Sequence, residues 1–143
     1  MGSNMDYSSL LRQAGMRVTS PRIAILGVLE EFPHSDAEFI KDEVMNRLGT
    51  VSTQAVYDTL NSLTASELLR RVEPRGIRAV YEINNGDNHH HFVCRSCSVL
   101  LNVKCAKGKK PCIDPIMDSD CIIDEAEVIY WGYCENCKDK LND

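Results

Sequence analysis

The chain has 143 residues, 26% charged and 43% hydrophobic, an ordinary globular composition that excludes an intrinsically disordered protein. The net charge of −5 is shared by both halves, with nine basic against eleven acidic residues up to residue 83 and seven against ten beyond it, so bulk charge does not single out nucleic acid as a partner. No apolar run approaches the roughly 18 residues of a membrane span, and no signal peptide opens the chain, so no membrane partner and a reducing, cytoplasmic setting are expected.

The opening Met1-Gly2-Ser3-Asn4 reads as a cloning remnant ahead of Met5 and is set aside. Asp6–Gly15 places Leu10, Leu11 and Ala14 on one helical face, with Gly15 as a stop. Thr19 or Ser20 caps a second helix with Pro21 in its first turn; it buries Ile23, Ile25, Leu26, Val28 and Leu29 and closes at Phe32-Pro33. Ser35 or Asp36 caps a third, which carries Phe39, Ile40, Val44 and Leu48 and ends at Gly49. Ser52 caps a fourth, Thr53–Arg71, with Val56, Leu60, Leu63 and Leu68 turned inward and Gln54, Tyr57 and Asn61 outward. Residues 72–83 then read as two strands around Pro74-Arg75-Gly76. Helices followed by a hairpin fit a winged helix-turn-helix or a small helical bundle with an appended hairpin.

Residues 84–88 form a polar, turn-rich hinge between a module at 1–83 and one at 89–143. In the second, Phe92–Cys94 and Val99–Val103 read as a hairpin with Arg95-Ser96 at its tip. Residues 104–120 read as irregular, and Cys121–Tyr133 as β-rich. At about 80 and 60 residues, both modules have limited cores, and the second is marginal without a metal or an oligomer partner.

All seven cysteines lie within Cys94–Cys137. An odd number without a secretion signal points to metal or redox chemistry rather than a disulfide framework. Cys94-x-x-Cys97 and Cys134-x-x-Cys137 each turn two thiolates toward one point, and four thiolates suit a closed, tetrahedral structural zinc (Zn2+). A redox pair or buried free thiols are the other readings of these cysteines. His89-His90-His91 precedes the first pair. On a strand His89 and His91 share a face, although such a triplet can equally be solvated. With Glu82 at the end of the wing strand and His34 after the second helix, they compose a nitrogen/oxygen site suited to Fe2+, Mn2+, Zn2+ or Ni2+.

The order of Arg17-Val18-Thr19-Ser20-Pro21-Arg22, Val51-Ser52-Thr53-Gln54-Ala55-Val56-Tyr57, Tyr81-Glu82, the segment from His89 to Cys97, and Tyr130-Trp131-Gly132-Tyr133-Cys134-Glu135-Asn136-Cys137 resembles the ferric uptake regulator family of metal-responsive repressors. Residues 87–91 and 124–132 look most like its actinobacterial FurA type, the catalase-peroxidase regulators. The resemblance covers 7–138 and implies an α+β homodimer, with an N-terminal winged helix-turn-helix domain followed by a small α/β dimerisation domain. It implies structural zinc on Cys94, Cys97, Cys134 and Cys137, and a regulatory metal on His34, Glu82, His89 and His91. It also implies double-stranded operator DNA as partner, with Tyr57 on a thymine methyl, Ser52, Thr53 and Gln54 on phosphate or base edges, and Arg17 and Arg22 on phosphates.

The chain departs from the family pattern in three places. Asp58 stands where many relatives carry arginine; since an acid repels phosphate, it is expected to turn away or make an internal contact. The resemblance implies that a second metal site of many relatives is lost, its places held by Asn88, His90, Lys109 and Ala126. Asn102 stands where peroxide-sensing relatives carry an aspartate ligand, and an amide oxygen is the weaker donor; whether Asn102 or His90 ligates is open at this level. Cys105 and Cys112 lie among Lys104, Lys107, Lys109 and Lys110, which favour thiolate, so a reversible disulfide between them is a redox-sensing alternative. Cys121 is expected to pack as a small apolar side chain.

Three functions follow. The first is a metal-responsive repressor of iron or oxidative-stress genes, closed onto an A/T-rich inverted repeat by the hinge metal. The second is a thiol-switch regulator using Cys105 and Cys112. The third, a zinc hydrolase built on His89, His91 and Glu82, lacks a general base and leaves the N-terminal module unexplained.

Overall fold

The computed structural model describes residues 6–84, 89–104, 120–123 and 126–139, with the backbone alone at His89. The chain divides into two compact units, Met1–Asn85 and Gly86–Asp143. The architecture is α+β.

In the first unit α1 (Tyr7–Gln13), α2 (Ser20–Glu31), α3 (Ala37–Leu48) and α4 (Thr53–Ala65) are interleaved with β1 (Ser35–Asp36) and followed by β2 (Leu69–Val72) and β3 (Val80–Ile83). Each helix begins at a side chain that accepts a backbone N–H: Asp6 from Ser9, Thr19 from Arg22, Asp36 from Phe39 and Ser52 from Ala55. The expected choices at the second and third caps thus resolve to Thr19 and Asp36. Leu11, Ile25, Leu26, Val28, Leu29, Ile40, Val44, Val56, Leu60 and Leu63 meet in one core with Leu69 and Tyr81. Phe39 does not join it. It is exposed, edge-on to Phe32 with ring centroids 5.2 Å apart. The Tyr7 hydroxyl donates to Glu30 and pins α1 on α2.

Two expectations need correcting. Helix α4 stops at Ala65, not Arg71. The Glu67 N–H donates to Thr64 O and the Leu68 N–H to Leu63 O, at 3.0 and 3.1 Å, with Glu67 at φ 67°. This is a Schellman ending made without its usual glycine. Leu68 folds back onto the core, and residues 69–72 are released as a strand. The second is the hairpin read over 72–83, whose strands are 69–72 and 80–83; β3 also takes β1, a two-residue strand, on one edge, in the register Ser35↔Tyr81 and Asp36↔Val80. Strand β2 pairs with the other edge of β3, Arg70 facing Glu82. The sheet order is therefore β1-β3-β2, and the wing hairpin carries a seven-residue loop, 73–79.

In the second unit β4 (His89–Cys94) pairs antiparallel with β5 (Leu100–Lys104) and parallel with β6 (Ile129–Gly132), in the order β5-β4-β6. Strand β4 begins three residues earlier than Phe92, at the histidine triplet. Among the described residues of the presumed β-rich stretch 121–133, only 129–132 are in a strand.

Asp36 has two duties, capping α3 at 2.8 Å from the Phe39 N–H and closing β1 against Val80. Asp36→Ala is expected to cost about 1 kcal/mol, the usual value of a cap, seen as a lower urea midpoint with unchanged slope. Asp36→Asn, which keeps the acceptor, should recover most of the loss.

Candidate metal centres and nucleic-acid interface

Because β4 and β6 run parallel with Cys94 opposite Gly132, the two cysteine pairs leave the same end of the sheet side by side. Each then turns tightly. The Ser98 N–H donates to Cys94 O at 3.0 Å, with Ser98 at φ 65°. The N–H groups of Cys137 and Lys138 donate to Cys134 O at 2.9 and 2.8 Å, and the Arg95 N–H ties the first turn to Gly132 O at 2.7 Å. Gly132 sits close against Phe92, where a Cβ would lie 3.2 Å from Cε2 and the ring would have to give by a few tenths of an ångström. The Arg95 guanidinium covers the Trp131 ring, 5.5 Å from its centroid.

The sulfurs of Cys94, Cys97, Cys134 and Cys137 converge within 4.8 Å of one another. Those of Cys97 and Cys134 are 3.7 Å apart. A tetrahedral ion with metal–sulfur bonds of about 2.3 Å requires sulfur separations of about 3.8 Å. The local field points the same way. The backbone N–H of Cys97, together with that of Cys134, each 3.5 Å from Cys94 Sγ, holds the Cys94 thiol down at about 6. At Cys97 the Val99 N–H lowers the thiol, but the Cys94 sulfur, burial and the sulfurs of Cys134 and Cys137 together outweigh it and push it up to about 11. Four thiolates therefore crowd each other unless a cation sits among them, and a cation of this kind deprotonates its thiols outright. The donor set fits one soft or borderline ion with no open position.

In the first unit His34 Nε2 lies 3.0 Å from Glu82 Oε2, with both side chains largely buried. Forty-eight residues separate them in sequence, and the β1–β3 pairing brings them together. The His34 N–H donates to Tyr81 O at 3.0 Å, one step before the Ser35↔Tyr81 register. His34 sits at φ 64°, a left-handed conformation uncommon among non-glycine residues. No local signal in the sequence announces this, because a two-residue strand has no periodicity to read. In the second unit His91 lies mid-strand, opposite Asn102 on β5 and Ile129 on β6. His89 opens β4 opposite Lys104, its side chain beyond the described atoms. His90 pairs with Val103 and is buried.

Of the residues expected to meet DNA, Ser52, Thr53, Gln54 and Tyr57 lie at the start of α4. The Ser52 hydroxyl is occupied by the Ala55 N–H at 3.1 Å. Thr53 and Gln54 are exposed and Tyr57 is half-buried one turn further on. Asp58 makes the internal contact expected of it, accepting from Gln54 Nε2 at 2.8 Å. Arg17 is exposed, and Arg22 donates to its backbone oxygen at 2.7 Å, bracing the loop before α2. Of the wing arginines, Arg71 pairs with Glu73 at 2.6 Å and Arg78 with Asp36 at 3.1 Å. Cys121, expected to be packed, is exposed. Cys105, Cys112, Asn88 and Lys109 lie outside the described residues. Among the described residues no helix is long and apolar enough to cross a membrane.

Comparison with known proteins places this geometry in a family. The ferric uptake regulator family model matches residues 13–112. The chain is 50% identical over 137 residues to the "Transcriptional regulator FurA" of Mycobacterium tuberculosis, covering 96% of this chain and 93% of that one. It is 45% identical over 139 residues to "Ferric uptake regulation protein 1" of Mycolicibacterium fortuitum, covering 97% and 86%. Among solved structures, the ferric uptake regulator of Pseudomonas aeruginosa with manganese superposes with a TM-score of 0.67 at 25% identity, over 92% of this chain and 99% of that one. The Helicobacter pylori regulator shares the fold at 18% identity, with a TM-score of 0.67 over 91% and 87%. The chain belongs to the ferric uptake regulator family, whose members are metal-responsive transcriptional regulators and not enzymes.

Proposed function

We propose that this regulator is a metal-dependent repressor that binds an A/T-rich inverted repeat as a homodimer and controls iron or oxidative-stress genes. Zn2+ on Cys94, Cys97, Cys134 and Cys137 is its structural ion. A second ion, Fe2+, Mn2+, Zn2+ or Ni2+, bound by His34, Glu82, His89 and His91, is its signal. The observation that carries the reading is the His34–Glu82 pair, held 3.0 Å apart on the unit that bears α4. A histidine kept at positive φ beside a buried carboxylate is a donor pair prepared in advance. The names of the relatives, and the manganese in the Pseudomonas aeruginosa structure, support a metal as effector.

The ion supplies positive charge shared by nitrogen and oxygen donors. His34 and Glu82 belong to one unit and His91 to the other, so a shared ion limits how the two can be arranged. Coupling of this kind is reciprocal, and operator DNA raises metal affinity by the factor with which metal raises operator affinity. On the DNA side Arg17 and Arg22 anchor phosphates, Ser52, Thr53 and Gln54 meet phosphate or base edges, and Tyr57 meets a thymine methyl. With a net charge of −5 the protein depends on this local basic surface, so affinity falls steeply with salt.

Two measurements test the reading. Zinc content and far-ultraviolet circular dichroism of Cys134→Ser are expected to show loss of one tightly held Zn2+ per chain and a less stable protein; unchanged zinc content would remove the tetrathiolate assignment. Operator binding without oxygen, with the tight zinc retained and Fe2+, Mn2+ and Zn2+ titrated separately, is expected to tighten at least about tenfold with one metal, within the usual range of allosteric coupling. The His89→Ala/His91→Ala protein should ignore that metal. Equally tight binding with no added metal would refute the hinge signal and leave Cys105 and Cys112 to be tested as the switch.

A further inference from the structure

Helix α4 carries an acid on the face proposed to meet DNA. Asp58 is exposed, one turn beyond Gln54 and next to Tyr57, and a carboxylate there opposes phosphate attraction. It does not point idly into solvent. Its Oδ1 accepts from Gln54 Nε2 at 2.8 Å, and Gln54 is exposed too.

A glutamine amide presents an oxygen on one side and an NH2 on the other, and a free one turns over readily. An ionised carboxylate only accepts. Beside Asp58 the NH2 side must therefore face the carboxylate, because the flipped amide would set two acceptors against each other. One N–H of Gln54 is then engaged, which leaves Oε1 and the second N–H for an incoming base. That acceptor–donor pair complements adenine, whose N6 amino group donates and whose N7 accepts in the major groove. It mismatches guanine, which offers two acceptors, O6 and N7, and the nearby carboxylate repels those as well.

We propose that Asp58 is a positioning residue for base reading: it fixes the Gln54 amide in the orientation that selects adenine over guanine at one position of each half-site. The inference rests on α4 being the helix that enters the major groove, as proposed above. It assigns Asp58 a role in sequence preference, offset by a loss of general affinity.

The test is selection of binding sites by the full-length, zinc-loaded protein from a randomised duplex pool, with Mn2+ or Fe2+ present without oxygen, followed by affinities for every single-base variant of the recovered site. Wild type is expected to prefer adenine over guanine by on the order of tenfold at one symmetric pair of positions. Asp58→Ala should bring that preference within about threefold while tightening binding to all four bases, as loss of a phosphate-repelling charge requires. Gln54→Ala should lose the same preference, and Asp58→Ala should change it no further in the Gln54→Ala background. A merely structural role for Asp58 would move stability but not base preference. Tighter binding of Asp58→Ala with the adenine preference intact overturns the proposal. If wild type recovers no preferred site, or if Gln54→Ala and Tyr57→Ala both leave the recovered site and its affinity unchanged, the failure belongs to the reading of α4 itself.

Discussion

Strand β3 is hydrogen-bonded on both edges, to β1 through Ser35 and Asp36 and to β2 through Leu69–Val72. Side chains alternate along it, so Tyr81 enters the helical core and Glu82 faces the other way, within reach of His34. A slip of one residue would exchange the two, sending a carboxylate into an apolar core and leaving an aromatic ring without its cover. Register here is thus fixed by chemistry on both faces, and the same register holds the Asp36 cap and so the direction of α3. The helix-turn-helix and the His34–Glu82 pair share one strand as their reference.

The second unit solves a different problem. Among its described residues, Val93, Cys94 and Cys137 are the buried apolar side chains. The sulfurs of Cys94, Cys97, Cys134 and Cys137 converge where the end of β4 meets the segment after β6, and the ion proposed there would convert metal affinity into folding stability. The N–H donors to Cys94 Sγ and the close approach of Phe92 to Gly132 show the backbone shaped around that point.

An acidic protein that reads DNA must present positive charge locally and release it when phosphate arrives. Of the wing arginines, Arg71 is paired with Glu73, and Arg78 with Asp36 and Glu38, in exposed contacts. Such pairs are worth about 0–1 kcal/mol, little enough for a phosphate to displace them. The mycobacterial relatives at 45–50% identity and the solved structures at 18–25% share this chain's fold to different depths. A fold shared that widely does not by itself set specificity, which lies in the side chains it carries.

The sequence by itself determined the presence of four helices and the Ser52 cap, and narrowed the caps of the second and third to two residues each, because a Ser, Thr or Asp ahead of a 3.6-residue apolar period satisfies orphan N–H groups locally. It also determined the four metal-type cysteines, since each Cys-x-x-Cys turn is local, and the separation into a cysteine-free and a cysteine-rich part. Tertiary structure decided what local rules cannot carry. The end of α4 at Ala65 depends on Glu67 taking a left-handed conformation that glycine would have announced. Strand β1 exists only because β3 is there to pair with it. The meeting of Cys97 with Cys134 needs β4 and β6 to run parallel, and that of His34 with Glu82 needs β1 to find β3. The sequence offered these residues as donor sets by their chemistry, but the strand pairings that bring them together are backbone hydrogen bonds, which carry no residue identity to read.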